Sequence, residues 1–226
     1  MSTTLISKYQ AAIVAIAPAA LMVTLVAHPY VRGRLPNDAA IAAAVAADPT
    51  RWGLVHLGTA VASGLLLLAF LAIRSYLREA GEDRFSVLGV PFIVIGSTLF
   101  TLLPAMEFAP LAAAETGADT AGIAAAQAAL TPWFFPTLLI GALTFAIGIY
   151  AFAKAIAASE ILSRRTTSLV VGALAVMTLS RFVPLAAVQF YVQSAAAIAA
   201  LWPLAYQMWT HPAAQPAVRT RPVTAT

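Results

Sequence analysis

The stretch "WGLVHLGTAVASGLLLLAFLAI", from Trp52 to Ile73, decides most of what this chain can become. A helix needs roughly 20 consecutive apolar residues to cross the bilayer core. A helix buried in a soluble domain keeps a polar face, and this run has none. The remaining sequence agrees: 61% of residues are hydrophobic and 10% charged, where soluble domains carry about 25% charged residues. Mean hydropathy is +0.86. So little polar surface cannot cover a water-soluble globule. An integral membrane protein built of helices is expected, because a helix satisfies its own backbone in lipid.

Six spans are expected, at about residues 11–28, 52–73, 87–106, 133–153, 167–183 and 185–208. Residues 1–210 then form a single transmembrane domain, and the proline-rich 211–226, which contains His211, reads as a disordered cytoplasmic tail. The first run, with "APAALMVTLVAHP", resembles the apolar region of a signal peptide and is read as a retained span. Basic residues alternate between the two sides of this arrangement. Lys8, Arg74, Arg78, Arg84, Lys154, Arg164, Arg165, Arg219 and Arg221 share the side of the termini, and Arg32, Arg34, Arg51 and Arg181 lie opposite. The excess of positive charge beside the termini places both in the cytoplasm of a plasma (inner) membrane protein.

Two outer connections share a plan. In "PNDAAIAAAVAADPTRW" Asp38 reads as an N-cap, an alanine-rich helix follows, and Asp48–Pro49 restarts the chain as cap and first helical residue. "GADTAGIAAAQAALTPWFF" repeats this with Asp119, an alanine helix and Thr131–Pro132. Both halves read as span, short surface helix, span, which suggests an internal repeat with a further hairpin added around "SRFVPL". The surface helices carry one apolar stripe, Ile41 and Val45 in the first, and are expected to cap the bundle. Gly58, Gly64, Gly96, Gly141 and Gly148 suit close helix packing, and Trp52, Trp133, Trp202 and Trp209 read as interfacial anchors.

Helix direction decides which polar residues can meet. His28 ends the first span, His56 sits about one turn inside the second, and Glu107 ends the third. Arg181 ends the fifth, Gln189 and Gln193 lie near the start of the sixth, and Thr59 shares a face with His56. Ionisable groups at membrane depth are costly and face the protein interior or a water cavity. A ligand-binding pocket of His56, Glu107, Arg181, Gln189 and Thr59 is one reading. A second is a divalent metal or a haem held by His28, His56 and Glu107, since imidazole and carboxylate suit zinc, copper and iron. The plainer alternative makes His28 and Glu107 water-facing boundary groups, His56 an interhelical hydrogen-bonding partner, and Arg181 either a partner of Glu107 or a headgroup-seeking cation.

Familiar catalytic signatures are absent: no phosphate-binding loop, nucleophile elbow, zinc-protease helix or dinucleotide fingerprint occurs. The chain has no cysteine, which excludes disulfides and iron–sulfur clusters. The pI is near 9.8, but no basic run interleaved with aromatics accompanies it, so nucleic acid is not an expected partner. The stretch "VRGRLPNDAAIAAAVAADPTRWGLVHLGTAVASGLLLLAFLAIRSYL", residues 31–77, resembles a broad bacterial family of uncharacterised small multi-pass membrane proteins. Those proteins place a basic pair, an Asp-Ala-Ala segment, a short helix and an apolar second span after the first span. The resemblance implies a multi-pass helical fold and assigns no site residue, since His28 and His56 are no part of the pattern. The expected function is a non-enzymatic membrane protein, either an accessory subunit or a binder of a lipid or small hydrophobic molecule in an outer-half pocket. A metal- or haem-dependent enzyme or electron carrier is the alternative, and a small transporter ranks third. The bilayer, other membrane subunits or a second copy are the expected partners.

Overall fold

A computed structural model describes residues 3–211, and all of its regular elements are helical. The predicted disordered tail lies outside the described residues except for His211. The α-helices are α1 (Thr3–Ala27), α2 (Asp38–Ala47), α3 (Pro49–Glu79), α4 (Phe85–Met106), α5 (Phe108–Glu115), α6 (Thr120–Ala129), α7 (Thr131–Ser159), α8 (Arg164–Leu179) and α9 (Gln193–Thr210). A 3₁₀ turn, Ser180–Phe182, follows α8, and a π-helical turn, Val188–Val192, leads into α9.

Five segments are long and apolar enough to cross a membrane: Leu5–Ala27, Pro49–Glu79, Phe85–Glu115, Thr131–Ser159 and Val188–Thr210. The sixth expected span differs. It corresponds to α8, whose 16 residues reach about 24 Å at 1.5 Å each, short of the roughly 30 Å hydrocarbon core. The chain breaks helical register there because Ser180–Phe182 tightens into 3₁₀ geometry and Val183 is extended.

Six helices close into a ring. Helix α1 packs on α3 and α9, α9 on α8, α8 on α7, α7 on α4, and α4 on α3. Their shared interior is predominantly apolar, with Leu21, Phe70, Ile93, Phe152, Leu174 and Leu201 almost wholly buried. Phe70 meets Phe145 and Phe152 edge-on at 6.0 and 5.2 Å between ring centres, the arrangement aromatic quadrupoles favour. The outward faces are apolar too, Leu57, Leu68, Leu143 and Ile147 among them. Such a surface suits lipid and not water. Glycines let the backbones of α4 and α7 approach closely. A Cβ on Gly96 would stand 2.7 Å from the Phe145 backbone nitrogen, and one on Gly148 would stand 2.8 Å from Ile93. Gly58 and Gly141 are similarly confined, but Gly64 has open space beside it.

The short helices α2, α5 and α6 pack together over one end of the ring. Beneath them lies a second small core of Val31, Ile41, Val45, Trp52, Leu111 and Ile123. The stripe of Ile41 and Val45 thus faces protein, as their pattern predicts. Capping residues explain where these helices begin. Asp48 Oδ1 accepts from the Arg51 amide at 2.9 Å, with Pro49 at the first helical position. Asp119 Oδ1 accepts from Gly122 at 2.8 Å. The expected caps at Asp38 and Thr131 are corrected. Asn37 caps α2, accepting from Ala40 at 3.2 Å. Asp38 is already helical, where its charge suits the positive helix end. Thr131 opens α7 with Leu130 before it and no side-chain cap.

Two further expectations change. The third span does not end the apolar run at Glu107, because α5 continues it after a one-residue joint. Trp52 is no interfacial anchor: it is 1% exposed and closes the second core, while Trp133, Trp202 and Trp209 are exposed as anchors should be. At the opposite end of the ring, Arg74 pairs with Asp83. Glu82 caps α4 by accepting from the amides of Arg84, Phe85 and Ser86 at 3.0, 2.6 and 3.2 Å.

Candidate functional site

A cavity of about 920 Å³ lies between the cap and the ring. Every residue singled out from the sequence as a site candidate lines it: His28, His56, Thr59, Glu107, Arg181 and Gln189. Helix direction made this convergence readable, because α1 and α4 end, and α3 and α7 begin, at the same end of the ring. Most of the remaining wall is apolar, including Leu25, Ile41, Leu103, Phe134, Leu138 and Phe190. Phe135, Leu139 and Ile140 line the cavity and are also 45–55% exposed. The mouth therefore opens sideways along the first turns of α7.

The two histidines meet. His28 Nε2 stands 3.3 Å from His56 Nε2. Each ring is tied at its other nitrogen: His28 Nδ1 donates to the Pro29 carbonyl at 2.7 Å and His56 Nδ1 to the Trp52 carbonyl at 2.7 Å. A carbonyl oxygen only accepts, so each ring carries a proton on Nδ1. Trp52 and Phe190 pack against His28, with ring centres 5.2 and 4.6 Å away. Neither histidine is a water-facing boundary group; both are buried.

Glu107 sits at the joint of α4 and α5 and is buried, not interfacial. Its Oε1 accepts from Gln127 Nε2 at 3.1 Å, and its backbone carbonyl accepts from the Trp52 indole at 3.1 Å. Gln127, on α6, is the functional residue that sequence reasoning missed. Its signal was available, since it is the one long polar side chain in an alanine helix. Arg181 does not pair with Glu107. Its guanidinium lies over the Phe100 ring, 4.4 Å from the centre. Gln189 donates to the carbonyls of Arg181 and Val183 at 3.3 and 2.9 Å, holding the turn after α8. Thr59 returns its hydroxyl to the Val55 carbonyl at 2.7 Å. These two line the cavity with their donor groups already engaged.

Three cavity residues keep buried polar atoms without a hydrogen-bond partner among the described residues: Glu107 Oε2, Gln127 Oε1 and Arg181 Nε. A second pocket of about 10 Å³, room for about one water, adjoins Arg181 and Phe100, where Ser97 Oγ and Gln193 Oε1 are also unpartnered. Buried polar atoms normally find partners, and these five belong to residues that line the two adjoining pockets.

Among the described residues no three histidine, aspartate or glutamate side chains gather within reach of one metal ion. The expected trio is therefore reduced to the histidine pair, with Glu107 held by Gln127. A haem between the histidines does not fit. Axial ligands face each other across the iron at roughly 4 Å, twice a metal–nitrogen bond of about 2.0–2.1 Å. Here the nitrogens are 3.3 Å apart and the rings stand at 71°. No family model matches the chain. No curated protein and no solved structure matches it either.

Proposed function

We propose that this chain is a non-enzymatic membrane protein that binds one amphipathic, lipid-soluble molecule in the cavity beneath its helical cap. One observation carries the reading: Glu107 Oε2, Gln127 Oε1 and Arg181 Nε are buried and unpartnered around a predominantly apolar cavity. Leaving such groups unpaired costs about 1–3 kcal/mol each, and a polar head bearing hydroxyl groups offers partners to side chains of this kind. Apolar walls such as Leu103 and Leu138 suit its hydrocarbon part, and a mouth beside Leu139 and Ile140 suits arrival from the bilayer and not from water.

The accompanying topology is part of the proposal. Helix α8, extended by the turn at 180–182, serves as a sixth span, and α1–α3 and α4–α7 descend from one duplicated unit, with α2 and α6 as counterparts in contact. Arg74, Arg78, Arg84 and Lys154 mark the cytoplasmic side of a cell membrane, with the termini beside them, so the cavity occupies the outer half.

The test uses a protein in which Trp133, Trp202 and Trp209 are replaced by phenylalanine, leaving Trp52 in the cavity wall as the sole tryptophan. Titration with a brominated monoacylglycerol in detergent should quench Trp52 saturably, at one equivalent. Quenching that rises without saturation, or no quenching, would place the probe outside the cavity and refute the reading.

A further inference from the structure

We infer that His28 and His56 together hold one divalent d-block metal ion through their Nε2 atoms, at the wall of the cavity. This goes beyond the ligand reading and does not depend on it, since the histidine pair is complete without any occupant of the apolar space.

The hydrogen bonds at Nδ1 carry the argument. With both Nδ1 protons committed to the Pro29 and Trp52 carbonyls, each neutral ring presents a bare lone pair at Nε2. Those two nitrogens stand 3.3 Å apart. Two deprotonated Nε2 atoms at this distance repel, and a cation seated between them removes the repulsion. A shared proton would draw the nitrogens toward the ~2.7–2.9 Å typical of a hydrogen bond to an ionised group. A metal asks for more room. With metal–nitrogen bonds of about 2.0–2.1 Å at a tetrahedral angle, two ligating nitrogens stand roughly 3.3–3.4 Å apart. The observed separation is that chord. The ring centres are only 4.9 Å apart, so the rings meet at an angle, as two ligands of one ion do, and not head on.

The surroundings match a ligand pair as well. Histidines that bind metal usually donate their other N–H to a carbonyl or carboxylate, which fixes tautomer and orientation. Both do so here. Trp52 lies against both rings, 5.2 Å from His28 and 4.5 Å from His56, and limits their rotation. Imidazole nitrogens select zinc, copper, nickel or cobalt over calcium or magnesium. Two protein ligands leave the other coordination positions open toward the cavity, for water or for the polar end of a bound molecule. The ion is accordingly exchangeable and not structural.

The experiment takes chelator-stripped protein in mild detergent and titrates it with Co²⁺, followed by its visible ligand-field bands, then with Zn²⁺ in competition. One equivalent should bind with intense, low-symmetry bands. His28→Gln and His56→Gln should each abolish them with helicity and elution profile retained, while His211→Ala, which removes the remaining histidine, should leave them unchanged. X-ray absorption on the zinc-loaded wild type should give the multiple-scattering signature of two imidazoles, a readout independent of whether the variants fold. No stoichiometric binding, fewer than two imidazoles, or loss of binding in His211→Ala would overturn the proposal. Failure here with saturable Trp52 quenching intact would remove the metal and leave the amphiphile reading standing.

Discussion

The indole Nε1 of Trp52 donates to the backbone carbonyl of Glu107 at 3.1 Å, across 55 residues of sequence. The bond ties the first turn of α3 to the joint between α4 and α5, and the same ring lies against both histidines. Trp52 therefore holds the polar corner of the cavity to the cap. Trp52→Phe keeps most of the packing and strands a buried carbonyl, at about 1–3 kcal/mol. Trp52→Ala adds a cavity and should cost about 3–5 kcal/mol. Thermal unfolding in detergent distinguishes the two, the alanine variant melting lower.

Two glycines make opposite predictions. Gly96→Ala puts a methyl 2.7 Å from the Phe145 amide nitrogen, where backbone must move, and overpacking of this kind costs about 1–3 kcal/mol. Gly64→Ala meets nothing within 4 Å and should be neutral or raise stability by up to about 1 kcal/mol through helix propensity. Their melting temperatures should diverge on either side of wild type.

Glu82 sets an acid limit at the opposite end. Burial pushes its carboxyl up, but hydrogen bonds from Ser86 and from the Phe85, Ser86 and Arg84 amides outweigh that and leave it below its ordinary value. A folded value below the unfolded one means the stabilisation is complete above the ordinary carboxylate range, near 4.3. It is lost as pH falls through the lower folded value. Glu82→Gln should lower stability at neutral pH by about 0.5–2 kcal/mol, as loss of a helix cap does. Its unfolding should also respond less than wild type to acidification below that range.

Arg181 separates stability from binding. Its Nε is buried without a partner among the described residues, so Arg181→Met removes a desolvated donor and should match or exceed the wild-type melting temperature, by roughly 1 kcal/mol. The same change takes away a polar contact for the cavity occupant, and quenching of Trp52 by the brominated monoacylglycerol should weaken. A variant that is both destabilised and binding-competent would show that Arg181 serves the fold alone.

Much of this was legible in the sequence, and the rest was hidden for physical reasons. Trp52 to Ile73 announced α3 because an unbroken apolar run has one outcome in lipid, and Asp48–Pro49 marked its start through cap chemistry. Helix direction brought His28 to His56, since a span that ends and a span that begins at one surface present neighbouring residues. Helix α5 was invisible because Glu107, the residue before "FAPLAAAE", makes no side-chain cap; it looked like an end and is a joint. Trp52 was misplaced because tryptophan near a span end is ordinarily an anchor, and only the cap of α2, α5 and α6 turns that position inward. Arg181 and Glu107 suggested an ion pair by charge alone, but the Phe100 ring and Gln127 are their actual neighbours.

The central claim, that the cavity holds one amphipathic molecule, is tested most directly by native mass spectrometry of the chain released from phospholipid nanodiscs. The account predicts a single lipid-soluble adduct per wild-type chain, retained at energies that strip surface lipid, and lost or weakened in Arg181→Met. A wild-type chain that emerges bare, or an adduct held equally well by Arg181→Met and Glu107→Gln, would contradict it.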